Sequence, residues 1–124
     1  MSEDISQLPP QIQQRLLRLQ QLQQNLQGVM AQKQQLTLQL TETENAVKEL
    51  EKLADDAVVY KSIGALLVKA EKAKVSTELT ERKDLVKMRV DVLAKQEERL
   101  RTQAKELQEK LQQDLRPVSG SPLG

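Results

Sequence analysis

Residues 57–69 decide the fold, and they read Ala57-Val58-Val59-Tyr60-Lys61-Ser62-Ile63-Gly64-Ala65-Leu66-Leu67-Val68-Lys69. β-Branched and aromatic side chains suit a pleated strand, and Gly64 can adopt the positive φ that a tight reversal demands. The stretch therefore predicts two short strands, 57–63 and 65–69, around a turn at Gly64. An isolated two-stranded hairpin is marginally stable in water, so we expect it to pair with neighbouring chains. The candidate assembly residues are Val58, Tyr60, Ile63, Gly64, Leu66, Leu67 and Val68.

The segment before the hairpin carries a heptad repeat of apolar residues. It opens at Pro10, where a proline fits the first helical turn because its missing N–H would have no partner there. The two series of the repeat run through Ile12, Leu19, Leu26, Lys33, Leu40, Val47 and Ala54, and through Leu8, Arg15, Leu22, Val29, Leu36, Thr43 and Leu50. This pattern predicts one helix from Pro10 to Leu53 with an apolar seam along it. Gly28 should cost that helix about 1 kcal/mol relative to alanine, which the packing of a long seam overrides.

The segment after the hairpin repeats the pattern. Its two series run through Leu79, Val86, Leu93, Leu100 and Leu107, and through Lys83, Val90, Glu97, Ala104 and Leu111. They predict a second helix from Thr77 to Leu115. At 1.5 Å per residue each helix would be about 60 Å long, so each needs the other, or another chain, to cover its seam.

Folding the chain back at Gly64 predicts an antiparallel pair of helices. Residues whose numbers sum to about 129 or 130 then lie at one height, which pairs Leu22 with Leu107, Leu36 with Leu93 and Leu50 with Leu79. The same register places Arg15 near Asp114 and Lys33 near Glu97. A shift of about three residues would also keep the layers apolar, so the pairing is open within that range.

The composition excludes most kinds of chemistry. Among 124 residues, 19 are basic and 18 are acidic, so no net field draws the chain onto nucleic acid or an anionic membrane. There is no cysteine or histidine, which removes the usual zinc ligands, thiol nucleophiles and general bases. A single aromatic residue, Tyr60, could not supply an ordinary globular core. We expect no metal, no cofactor and no catalytic site.

The chain divides into five expected segments. They are a flexible N-terminal segment (1–9), a first coiled-coil helix (10–54), a hairpin assembly region (55–76), a second coiled-coil helix (77–115) and a disordered tail (116–124). The start of the chain has no basic region followed by an apolar run, and no stretch reaches the roughly 18 apolar residues of a membrane span. These features predict a cytoplasmic protein.

The order helix, β-hairpin, helix resembles the β class of prefoldin subunits, particularly the archaeal form. The likeness is carried by the run from Tyr60 to Lys69 and spans nearly the whole chain. The resemblance implies that the hairpins join a β-barrel platform in a hexamer of two α-type and four β-type subunits. It also implies that six coiled coils hold unfolded client proteins without nucleotide and pass them to a group II chaperonin.

The open end of the coiled coil is the candidate client-binding surface. Leu16 and Leu17 widen the apolar surface of the first helix beyond its narrow seam, and the second helix ends at the same place. The candidate client-binding residues are Ile5, Leu8, Ile12, Leu16, Leu17, Leu111 and Leu115. These side chains could instead close the seam or pack on a neighbouring subunit, as the rarity of large exposed apolar patches suggests. The resemblance favours client contact.

Two other classes of function compete with this interpretation. A generic coiled-coil scaffold or tether explains the helices but leaves the hairpin without a purpose, and it could be a simple dimer rather than a hexamer. An enzyme is the weakest alternative. Its carboxylate pairs, Asp55-Asp56 and Glu97-Glu98, lie in solvated, charge-balanced contexts without a Gly-rich loop or a metal cluster.

Overall fold

The structure is a computed structural model of the chain, and it describes residues 7–115. Its elements in chain order are α1 (Pro10–Glu51), β1 (Val59–Ile63), β2 (Leu66–Ala70) and α2 (Lys72–Asp114). The two helices contain 42 and 43 residues, so the predicted mainly α class and the order of elements are confirmed. Neither helix is long and apolar enough, within the part of the chain that the structure describes, to cross a membrane.

The first turn of α1 is built on Pro9. The Pro9 carbonyl accepts hydrogen bonds from the backbone N–H groups of Ile12 and Gln13, both at 3.0 Å. The side-chain amide of Gln13 also donates to the Leu8 carbonyl at 2.7 Å. Leu8 and Pro9 are therefore held by α1, although they belong to the segment expected to be flexible.

The remaining residues expected to be flexible, 1–6 and 116–124, lie outside the described residues.

The helix boundaries nearest the hairpin differ from those expected. α1 ends at Glu51, and Lys52 and Leu53 close it with bonds to the third residue back, at 3.2 and 3.1 Å. α2 begins at Lys72, five residues before the predicted Thr77. The heptad marks where the seam begins, whereas the backbone is already helical in a run of good helix formers, Glu71-Lys72-Ala73-Lys74.

The hairpin has a two-residue turn. β1 and β2 pair antiparallel from Val59 opposite Ala70 to Ile63 opposite Leu66. Gly64 has a φ of 58° and is the sole positive-φ residue of the described chain, so the turn has the pattern of type II′, with glycine first. β2 begins at Leu66 rather than at Ala65, because Ala65 is the second turn residue.

The described residues fall into two compact units. The first combines the chain up to Ala31 with the chain from Ala94 onward, and the second is Gln32–Leu93. Each unit contains a length of both helices. The second also contains the hairpin.

In the first unit the helices run antiparallel. Arg15 is hydrogen-bonded to Asp114, and the guanidinium of Arg101 lies 3.3 Å from the sulfur of Met30. The residue numbers of these pairs sum to 129 and 131, within one of the predicted 129 or 130. The buried residues of this unit are seam residues, namely Leu22, Ala104 and Leu111.

In the second unit the seam is likewise the core. Val47, Leu50 and Val86 are buried there, at positions that the heptad assigned to the seam. Thr43 is buried beside them, and its hydroxyl donates to the Gln39 carbonyl at 2.8 Å. A polar seam residue is thus accommodated because its donor is satisfied inside its own helix.

Candidate assembly and client-binding surfaces

The hairpin presents its large apolar side chains to solvent. Leu67 is 72% exposed, Leu66 67% and Tyr60 60%. The exposed apolar side chains of the hairpin and its approach are Val58, Tyr60, Ile63, Leu66, Leu67 and Val68. Such a cluster costs free energy in water, so it is a candidate contact surface.

The two faces of the hairpin differ. The register places Ile63, Leu66 and Val68 on one face, whereas Tyr60 and Leu67 lie on the other. The first face borders an open groove toward the start of α2, lined there by Val75 and Glu78. The second face carries the most exposed apolar side chain of the hairpin.

Ion pairs attach the hairpin region to the helices. Lys61 of β1 contacts the Glu78 carboxylate of α2 at 2.6 Å. Lys72, whose side chain is only 15% exposed, donates to the Leu53 carbonyl at 2.7 Å and to the Asp55 carboxylate at 3.3 Å. The Lys72 ammonium therefore gives the Leu53 carbonyl, just after the end of α1, a hydrogen-bond donor. This bond connects the end of α1 to the start of α2. These contacts leave no recognisable pattern in the sequence, because they depend on how the turn closes.

The candidate client-binding residues that are described lie in the first unit, and they differ in exposure. Leu17 is 61% exposed and Leu115 50% exposed. Leu8, Ile12 and Leu16 are half-buried.

The two remaining members of that set stand apart. Leu111 is only 4% exposed and packs in the seam, as its heptad position requires. Ile5 lies outside the described residues. The open surface at this end is therefore formed by Leu17 and Leu115.

Among residues 7–115, one ion pair joins the two helices at the same end. Arg15 and Asp114 are hydrogen-bonded, and each side chain is 27% exposed. Partly solvated pairs of this kind stabilise by about 0–1 kcal/mol. The helix ends are thus held by apolar seam contacts, with the ion pair helping to fix register.

Two carboxylates of the pairs Asp55-Asp56 and Glu97-Glu98 take part in ion pairs, and the Glu97 side chain is only 14% exposed rather than solvated. Asp55 accepts from Lys72, and Glu97 accepts from the guanidinium of Arg101 at 2.8 Å. Within residues 7–115 no group of three or more histidine, cysteine, aspartate or glutamate side chains could hold a metal ion.

The heptad repeat did not predict one further apolar surface. Leu85, Met88 and Val92 of α2 are exposed and line a groove in the second unit. Counting seam positions alone misses them. The sequence does indicate this surface, because these apolar residues occupy heptad positions that should face water.

Comparison with known proteins places these surfaces in context. A family model described as a prefoldin subunit matches residues 13–117. Prefoldin subunit beta of Methanothrix thermoacetophila is 50% identical over 108 residues, which is 87% of this chain and 90% of the relative. Prefoldin subunit beta of Archaeoglobus fulgidus is 46% identical over 116 residues, covering 94% of this chain and all of the relative. The crystal structure of the prefoldin beta subunit from Thermococcus strain KS-1 superposes with a TM-score of 0.83 at 44% identity, covering 94% of this chain and 99% of that one.

Proposed function

The chain belongs to the β class of the prefoldin subunit family, and from this premise we propose that it is a non-enzymatic chaperone subunit that binds unfolded proteins. It acts without nucleotide, prevents its clients from aggregating and passes them to a group II chaperonin in the cytoplasm. The observation that carries the proposal is the hairpin's exposed apolar cluster on a chain with no histidine or cysteine.

The hairpin is the assembly element of the proposed complex. Its apolar side chains are exposed and its strand edges are open to pairing, so strands of neighbouring subunits would complete both the sheet and its apolar packing. The partner is an α-type prefoldin subunit, and the complex is a hexamer of two α and four β chains. A generic scaffold or tether would have no use for such a hairpin.

The client surface is the open end of the helices. Unfolded proteins share exposed apolar surface rather than sequence, so the leucines there bind many clients weakly. Several such ends on one platform raise the overall affinity, because each further contact is intramolecular and benefits from a high effective concentration. Leu17 and Leu115 are the exposed members that make first contact.

Co-expression with an α-type subunit tests the proposal. The mass of the intact complex should correspond to six chains, and the complex should suppress aggregation of a diluted unfolded protein without added nucleotide. A dimer that leaves aggregation unchanged would favour the scaffold interpretation instead. An enzymatic activity that co-purifies with this chain would contradict the proposal that it is not an enzyme.

A further inference from the structure

The outward positions of α2 are polar except over one short stretch. With seam residue Lys83 taken as position a, the outward c and f positions from Glu78 to Gln113 hold polar or charged residues, with three exceptions. Those exceptions are Leu85, Met88 and Val92. They are 47%, 59% and 51% exposed, so the seam does not use them. Apolar residues confined to outward positions of a few turns indicate a local contact surface.

These side chains line an open groove between α1 and α2 of about 560 Å³. Leu36 of α1 and Leu93 of α2, a predicted seam pair, form part of its lining. The other residues that line it are Gln32, Gln35, Gln39 and Arg89. The groove thus has a largely apolar α2 wall that also carries Arg89, and its α1 side consists of Leu36 and a rim of three neutral amides.

The size of the groove argues against a permanent subunit contact. Nine residues line it, whereas a stable protein interface uses about 20–30 residues on each side. The apolar stretch from Leu85 to Val92 spans about two helical turns, too short for a lasting coiled-coil contact, which needs about three heptads. A groove of this volume suits a few apolar side chains of a weakly held partner.

The chemistry of the rim indicates what that partner is. Glutamine amides both donate and accept hydrogen bonds, so Gln32, Gln35 and Gln39 can pair with any exposed backbone N–H or C=O. An unfolded chain presents such groups beside its apolar side chains. Met88 adds a flexible, polarisable side chain that adapts to different shapes.

We infer that this groove, defined as Leu36, Leu85, Met88, Val92 and Leu93 with its glutamine rim, binds apolar segments of unfolded client proteins. This inference rests on the proposed chaperone function and adds a second contact site to the helix end. Two weak sites on one subunit increase the avidity for long, extended clients.

Cross-linking from inside the groove tests the inference. The chain has no cysteine, so Met88→Cys and Leu38→Cys each give one labelling position for benzophenone maleimide on this chain. Leu38 is the control, because it is 60% exposed on α1 and does not line the groove. The probe is reduced, carboxymethylated α-lactalbumin, a permanently unfolded protein, mixed with the assembled full-length complex. We expect at least about fivefold more client cross-linked from position 88 than from position 38.

A binding measurement accompanies the cross-linking. The triple variant Leu85→Gln, Met88→Gln, Val92→Gln removes the apolar wall without touching the seam, so it should bind the same probe about fivefold more weakly. Leu38→Gln should bind as the parent does. Circular dichroism and complex mass should be unchanged in both.

The possible outcomes distinguish the inference that the groove binds clients from the proposal that the complex is a chaperone. Cross-links from position 88 to another subunit, or unchanged affinity in the triple variant, would overturn the groove while leaving client binding at the helix end intact. A parent complex that binds no α-lactalbumin would overturn the chaperone proposal and the groove with it.

Discussion

The hairpin and the helix seam use similar apolar residues in opposite ways. In the seam, Leu22 is 2% exposed and Val86 4%, because each helix covers the other. In the hairpin, Leu66 is 67% exposed and Leu67 72%, although the strands are fully paired with each other. The chain buries its helix seam by itself and leaves the apolar surface of its sheet uncovered.

This difference separates folding from assembly within one short chain. Seam burial stabilises the helix pair and has no need of a partner. In the proposed complex, hairpin burial requires other chains, so its free energy would be available only on assembly. Substitutions in the two regions should therefore change different measurements, stability in one and complex size in the other.

The largest effect should come from Leu67→Pro. In a two-residue hairpin the pair next to the turn, Ile63 and Leu66, is hydrogen-bonded, so the Leu67 N–H points to the free edge of β2. Proline there removes a donor to a neighbouring strand while leaving the ladder with β1 intact. We expect the six-chain complex to be lost by native mass measurement while helicity stays near that of the parent.

Leu67→Ala is the matched control, because it shortens the side chain and keeps the N–H. It should weaken the complex less than proline does. A full-size complex in the proline variant would count against edge pairing by β2.

The next effect tests the seam. Leu22→Ala should lower the free energy of unfolding by about 2–5 kcal/mol, because it removes most of a buried side chain from the seam. Leu17→Ala, on an exposed position of the same helix, should change it by less than about 0.5 kcal/mol. Thermal unfolding of the two variants measures the contrast. Equal losses would show that Leu17 is also packed.

A smaller effect is expected at the helix end. Leu17→Ser with Leu115→Ser removes the exposed leucines and keeps buried Leu111, so the seam and the hexamer should persist. We expect aggregation of a diluted unfolded client to be suppressed about threefold less well. Leu38→Ser, equally exposed elsewhere on α1, should leave protection unchanged. If the double variant protects as well as the parent, clients bind at other residues.

The periodicities of the sequence predicted the elements and the seam, because a repeat of seven and a strand alternation each bury a defined set of positions. The described seam residues are buried or half-buried as expected within α1 and α2, and Leu111 is among them. The start of α2 at Lys72 was missed because helix formers outside the seam leave no heptad signal. The anchor from Lys72 to Leu53 was missed because it joins residues 19 apart in sequence through the geometry of the turn.

The smallest effects are expected when glycine is replaced by alanine in each region, at Gly28 in α1 and at Gly64 in the hairpin turn. A Cβ added at Gly28 or at Gly64 would meet no atom within 4 Å, so space does not distinguish the two sites. Backbone conformation does, because Gly64 has a φ of 58° and Gly28 lies inside α1.

Gly28→Ala should therefore raise the free energy of unfolding by about 0.8–1 kcal/mol, since alanine favours a helix interior over glycine. Gly64→Ala should cost about 1–2 kcal/mol, since an L side chain in the left-handed region clashes with the following carbonyl. Because that strain falls on the turn that aligns β1 with β2, it should appear as a weaker complex in a dilution series. Gly28→Ala should leave the complex unchanged and raise the melting temperature. A lower melting temperature for Gly28→Ala would mean that residue 28 contacts another chain in the assembly, since its own chain leaves the space open.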